Sequence, residues 1–204
     1  MKQEERTLRT KEKIITAAIH VFGSKGYDAG SIGDICRLGG INRGLLYHNY
    51  ESKEELYLTC LAKSCEKLRQ RFEDSGAAEA QAPSEMARQY LGARSAFVRD
   101  CPEMSRIVFE GMVNPPADIR DSVKKAMEPL EQWNRSFCET LLSRVPLRPG
   151  ISLEQAMDYI SMVQYAFNSS FTLPGEAEEQ LMEHESRLRK LLDCVFFGIA
   201  KQEE

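Results

Sequence analysis

The chain contains no apolar run approaching the ~20 residues a membrane-spanning helix requires. Its opening, MKQEERTLRTKEK, lacks the apolar centre of a signal peptide. Both absences point to a cytoplasmic protein. Histidine is scarce, with three residues at 20, 48 and 184, and the six cysteines at 36, 60, 65, 101, 138 and 194 form no C-x-x-C pair. No zinc-ligand spacing results, so neither metal nor cofactor is expected, and buried reduced thiols are the default. There is also no nucleophile motif, no glycine-rich phosphate loop and no His/Glu pair, which argues against an enzyme. His184, between Glu183 and Glu185, reads as part of a solvated helix face. Strand-like alternation and internal repeats are missing too.

What remains is ordinary globular material, 42% hydrophobic and 28% charged, with an uneven charge distribution. The formal net charge is −4, yet residues 1–50 carry eight Lys/Arg against five acids. The other residues therefore carry 19 bases and 26 acids. A mildly basic head on an acidic body suits phosphate contact at one end and repulsion elsewhere.

Helical periodicity begins in the first segment, Arg9 to Lys25, where Ile14, Ile15, Ala18, Val21 and Phe22 recur at helical spacing. Thr7 or Thr10 can cap its start, and Gly23 and Gly26 mark its end. Ser31-x-x-Asp34 then has the form of a capping box, opening a short helix with Ile32, Ile35 and Leu38 on its inward face. Gly39-Gly40 offers the positive φ that a tight helix-to-helix turn requires. Asn42 can cap the next helix, Arg43 to Tyr50, on which Leu46 and Tyr50 point inward.

Gly44 and His48 then face outward, flanked by Leu45 and Tyr47. A bare glycine there weakens the helix, which makes sense where another backbone must come close. Tyr47 and His48 can donate to phosphate, and Leu45 offers an apolar surface to a thymine methyl. Ser52-Lys53-Glu54-Glu55 is a full capping box, opening a helix through Leu56, Leu58, Leu61, Leu68 and Phe72. Lys53 places a cation in the first turn, against the helix dipole, and a phosphate bound at that end would relieve the conflict.

From Thr10 to Leu56 the chain resembles the DNA-binding domain of the TetR family of bacterial transcriptional regulators. IITAAIHVFGSKGYDAGSI carries the resemblance for the first helix and turn, and DICRLGGINRGLLYHNYESKEEL for the helix-turn-helix and the start of the fourth helix. The resemblance implies DNA contacts at Ser31, Arg43, Leu45, Tyr47, His48, Asn49 and Lys53, and the outward Gly44 joins them as the point of close approach. Gly30, Gly39 and Asn49 depart from the residues the family most often has at these places.

Behind the head, EDSGAAEAQAPSE reads as a loop, and new helical phases open at Pro83-Ser84, Pro102 and Pro115-Pro116. VPLRPG at 145–150 and LPGEAEE at 173–179 break the chain again. The expected fold is all-α with about nine helices. Residues 1–56 form a helix-turn-helix, three-helix DNA-binding domain, and residues 57–204 a helical effector-binding and dimerisation domain. The last two helices carry more apolar surface than one face can hold, which suits burial against a second subunit. The resemblance implies a four-helix dimer interface there, with Tyr159, Met162, Ala166, Leu188, Leu192, Val195 and Phe196 as its members.

Tyr90, Phe97, Phe109, Met112, Trp133, Phe137, Tyr165 and Phe167 are candidates to line an effector cavity, with Arg94, Gln164 and Asn168 as polar handles. The same residues suit a plain core. Their methionine and aromatic content favours a small apolar or aromatic effector. The leading expectation is a homodimeric repressor, nucleoid-associated when bound, that leaves a palindromic operator on binding a small molecule. The alternatives are an architectural DNA-binding protein without effector, or a redox-sensing regulator acting through Cys101 ahead of Pro102.

Overall fold

The computed structural model describes residues 2–169 and 178–199. Among the described residues there are nine α-helices, one 3-10 turn and no strand. The helices are α1 (Lys2–Ala29), α2 (Ile32–Gly39), α3 (Arg43–Asn49), α4 (Lys53–Asp74), α5 (Pro83–Asp100), α6 (Pro102–Val113), α7 (Arg120–Ser143), α8 (Leu153–Ser169) and α9 (Glu178–Ile199). The 3-10 turn, Ala117–Ile119, precedes α7. No described helix is long and apolar enough to cross a membrane.

The chain forms two compact units. One comprises Met1–Cys65 with Cys101–Glu128, and the other Glu66–Asp100 with Pro129–Glu204. The first unit therefore includes α6 and the start of α7 as well as the N-terminal helices. Its core takes Ile14, Ile15, Ala18 and Phe22 from α1, Ile35 from α2, Leu46 from α3, and Leu56, Tyr57 and Leu61 from α4. Ile107, Val108 and Phe109 of α6 and Val123 and Met127 of α7 complete it. Each fully buried side chain of this size contributes roughly 1.5–3 kcal/mol relative to exposure. Phe22 meets Tyr57 edge to face, with centroids 5.3 Å apart.

Helix α1 departs from the sequence reading at both ends. It begins at Lys2, so neither Thr7 nor Thr10 caps it, and it runs through Gly23. Gly23 serves packing instead: a Cβ there would lie 2.6 Å from the Glu103 carbonyl oxygen, so its absence lets α6 approach α1. The break comes at Gly26, with φ 76° and ψ 175°. Leu38 also differs, being exposed where an inward position was expected. At about 100° per residue it lies about 120° round α2 from Ile32, off the face that Ile32 and Ile35 bury.

In the second unit the core draws on Met86, Tyr90, Leu91 and Phe97 of α5, Leu130, Phe137, Leu141 and Leu142 of α7, Ile160 of α8, and Leu188 and Leu192 of α9. Phe72 and Phe137 stack on Trp133, at centroid distances of 5.0 and 5.4 Å and interplanar angles of 9° and 5°. Tyr90 stacks on Phe137 at 4.9 Å. His184 overturns its reading as a solvated residue, for it is buried. Its ring stacks on Phe167 at 4.4 Å, and its Nε2 lies 3.0 Å from Asn168 Oδ1. Flanking glutamates say nothing about which way a residue one position along the helix points.

Candidate nucleic-acid interface and effector cavity

The head is assembled by caps. Ser31 precedes α2 in extended conformation, and its Oγ accepts from the Asp34 amide at 3.0 Å. Gly40, at φ 54°, ends α2 in the left-handed region and lets the chain turn. Asn42 Oδ1 then accepts from the Leu45 amide at 2.7 Å, satisfying one of the free donors at the start of α3. Leu46 and Tyr50 anchor this short helix in the core.

With Leu46 buried, Arg43, Gly44, Leu45, Tyr47 and His48 are all exposed. Tyr47 is 50% exposed and Leu45 38%, sizeable apolar area left in water on a seven-residue helix. Arg43 folds toward α2, where a Cβ added to Gly33 would sit 3.5 Å from its Nη2. Asn49 is half-buried, and its Nδ2 donates to the Leu45 carbonyl at 2.8 Å, one turn back on its own helix.

At the start of α4, Ser52 Oγ accepts from the Glu55 amide at 3.0 Å. The return bond runs from the Glu51 amide to Glu55 Oε2 at 2.6 Å, one residue earlier than in the usual box. Lys53 extends away from that helix end. Its Nζ lies 4.4 Å over the Tyr27 ring and donates to the Asp28 carbonyl at 3.3 Å. The ring face and carbonyl therefore offset part of the conflict between cation and helix dipole.

Two features of the head escaped the sequence reading. Asp34 gathers Lys25, Ser31 and Arg37 around one carboxylate, held below the usual range by the Lys25 and Ser31 hydrogen bonds. The i, i+3 spacing of Asp34 and Arg37 was a legible signal, whereas the Lys25 contact depends on the turn between α1 and α2. Glu110 of α6 is the other. Its Oε2 accepts from the Tyr57 hydroxyl at 2.8 Å and its Oε1 from the Tyr27 amide at 3.2 Å. Burial pushes the Glu110 carboxyl above the ordinary range against these two bonds. Burial also raises the Tyr57 phenol, so it stays protonated and donates.

The second unit holds a cavity of about 740 Å³, within the range of small-molecule sites. Its walls are Leu91, Phe137, Leu141, Leu142, Ile160 and Leu192, with Ser84, Arg88, Gln164 and Arg189 among the polar lining. Of the residues the sequence suggested, Tyr90, Phe137 and Gln164 line it. Trp133 backs it through its stack on Phe137. Phe97 is buried elsewhere in the unit, and Arg94 is not in the lining. Phe109 and Met112 belong to the other compact unit, because their helix packs beside α1. Tyr165 is exposed, and Phe167 and Asn168 are engaged with His184.

Tyr159, Met162 and Ala166 are exposed along α8, beside Tyr165. Leu188, Leu192 and Val195 of α9 instead face inward, at 1%, 5% and 9% exposure, because this unit needs them for its own core. The side chain of Phe196 lies outside the described residues. Cys101 is the residue before α6 and makes no side-chain capping bond there.

Residues 14–60 match the model for bacterial regulatory proteins of the tetR family. The transcriptional regulator CymR of Pseudomonas putida is 27% identical over 168 residues, 82% of this chain and 78% of that protein. The negative transcriptional regulator IcaR of the biofilm operon icaADBC in Staphylococcus epidermidis is 45% identical over 47 residues, 23% of this chain and 25% of its own. Among solved structures, FadR of Bacillus subtilis in complex with stearoyl-CoA aligns with a TM-score of 0.69 at 13% identity, covering 92% of this chain and 98% of that one. Residues 14–60 thus carry a DNA-binding domain of the tetR-family type, and the helical body behind it shares its fold with FadR.

Proposed function

We propose that this regulator acts as a homodimeric repressor which grips a palindromic operator through α3 and releases it when a small molecule occupies the body. The carrying observation is the outer face of α3. Five residues, Arg43, Gly44, Leu45, Tyr47 and His48, are exposed on a helix that the Asn42 cap and the buried Leu46 fix to the head. Residues 1–56 read DNA, and residues 57–204 receive the effector and pair the copies. Arg43, Tyr47, His48 and Lys53 contact phosphate or base edges, Leu45 meets a thymine methyl, and Ser31 contacts phosphate from the start of α2. Asn49 joins them with its side-chain oxygen or its second amide hydrogen, since its bond to Leu45 uses only one.

The exposed Tyr159, Met162 and Ala166 of α8 form the pairing face. A dimer places two recognition helices ~34 Å apart, one turn of DNA. The cavity in the second unit supports an effector, and FadR, of the same fold, is described with stearoyl-CoA bound. Effector binding shifts the population from DNA-competent to DNA-incompetent dimers. The protein works in the cytoplasm, where its operator is.

The test is selection of bound duplexes from a random pool, followed by fluorescence anisotropy with the enriched sequence. A palindrome bound by two copies, with affinity falling steeply as salt rises, is expected. Equal affinity for random and enriched duplexes at moderate salt would refute the reading and favour an architectural role.

A further inference from the structure

The cavity in the second unit has a polarity that its apolar walls conceal. Two arginines, Arg88 and Arg189, are among its lining residues, and none of the described lining residues is Asp or Glu. This occurs in a chain whose residues 51–204 hold 26 acids against 19 bases. Arg88 is engaged by Glu85, which balances its charge. Arg189 has no carboxylate partner among the described residues. The Ser84 hydroxyl and the Gln164 amide add neutral hydrogen-bonding groups to the lining.

Burial grades across the site. Leu91, Phe137, Leu141, Leu142, Ile160 and Leu192 are buried, whereas Ser84, Arg88 and Arg189 are exposed. The apolar walls are therefore deep and the cations stand at the rim. From this gradient we infer that the effector is an amphipathic carboxylate, with its apolar body among these walls and its anionic head on Arg189. The inference rests on the reading of this cavity as the effector site and adds the chemical class.

A guanidinium offers a carboxylate two parallel donors, and the adjoining low-dielectric wall strengthens the pair relative to water. A neutral molecule of the same shape gains the wall but not the head contact. A cationic one meets Arg189 with like charge. The class thus follows from the sign of the rim and the depth of the walls together.

The experiment uses the full chain and three probes with one decyl body: sodium decanoate, 1-decanol and decylamine, all below their aggregation concentrations. Trp133, the single tryptophan, stacks on the cavity residue Phe137, so its fluorescence reports occupancy, and calorimetry measures affinity. Decanoate is expected to bind at least tenfold tighter than decanol, and decylamine weakest. Arg189→Gln is expected to reduce decanoate to the affinity of decanol without changing decanol binding. Ala87→Phe, which narrows the mouth, is expected to weaken both, with an unchanged melting temperature showing that the variant folds.

Equal affinity for decanoate and decanol, or decanoate preference surviving Arg189→Gln, overturns the carboxylate inference and leaves the effector cavity standing. If Ala87→Phe leaves both affinities intact, or if no probe binds, the assignment of this cavity as the effector site falls with it.

Discussion

Replacing Gly44 by alanine separates the two demands made on α3, because folding and DNA binding should respond with opposite signs. In the free protein a Cβ at this position meets only Asn42 Oδ1, at 3.5 Å, an ordinary contact. Nothing must shift to admit it. Alanine also restricts the unfolded chain, and in an exposed helix the exchange stabilises by about 0.5–1 kcal/mol. In a protein of this length that corresponds to a rise in melting temperature of roughly 2–4 °C per kcal/mol. On DNA the same methyl projects from the outer face between Arg43 and Leu45, where the duplex backbone is proposed to approach closest. Holding the helix off by the width of a methyl weakens hydrogen bonds whose loss costs about 1–3 kcal/mol each when one partner is desolvated. The operator affinity should therefore fall about 5- to 150-fold. Urea denaturation measures the first effect and anisotropy with the selected duplex the second. A Gly44→Ala protein that is more stable and binds its operator as tightly as the parent would refute the close approach.

The other glycine of interest behaves oppositely. At Gly23 helix propensity favours alanine by about 1 kcal/mol, but the added Cβ would sit 2.6 Å from the Glu103 backbone, where overpacking typically costs 1–3 kcal/mol. Gly23→Ala should be net destabilising in urea denaturation, and a gain in stability would show that α6 yields easily. Glu110→Gln should change the pH dependence of stability. The Glu110 carboxyl lies above its ordinary value, so its contribution is full below the unfolded pKa and is lost as pH rises through the folded one. The glutamine variant should lack that decline between acidic and neutral pH, and parallel stability curves for the two proteins would contradict the assignment. Met162→Glu places a charge at a residue 70% exposed, so the monomer should fold unchanged while dimerisation, followed by sedimentation, weakens at least tenfold. Unchanged self-association would remove α8 from the pairing face.

Much of the head was legible because its signals are local. Ser31, Asn42 and Ser52 each satisfy an amide within three residues, and such bonds depend on chain spacing alone. Leu46 and Tyr50 could be assigned inward by helical period, and Gly44 and His48 outward. In α2 the i, i+3, i+6 spacing of Ile32, Ile35 and Leu38 drifts about 60° at each step, and the inward assignment failed at Leu38. Asn49 shows a different limit: its place in a recognised motif says nothing of the bond it makes to Leu45 in the free protein.

The body was less legible, because apolar residues at helical spacing say that a face is buried but not against what. Leu188, Leu192 and Val195 looked like a surplus stripe and proved to be the core of their own unit. Phe109 and Met112 looked like neighbours of Tyr90 and belong to a different compact unit. Thus the sequence by itself determined the helices, the caps and the outward face of α3, all products of short-range geometry. Only the tertiary structure decided which cations share a rim, which histidine is buried and where Glu110 reaches, since those contacts join residues far apart in the chain whose meeting no local spacing encodes.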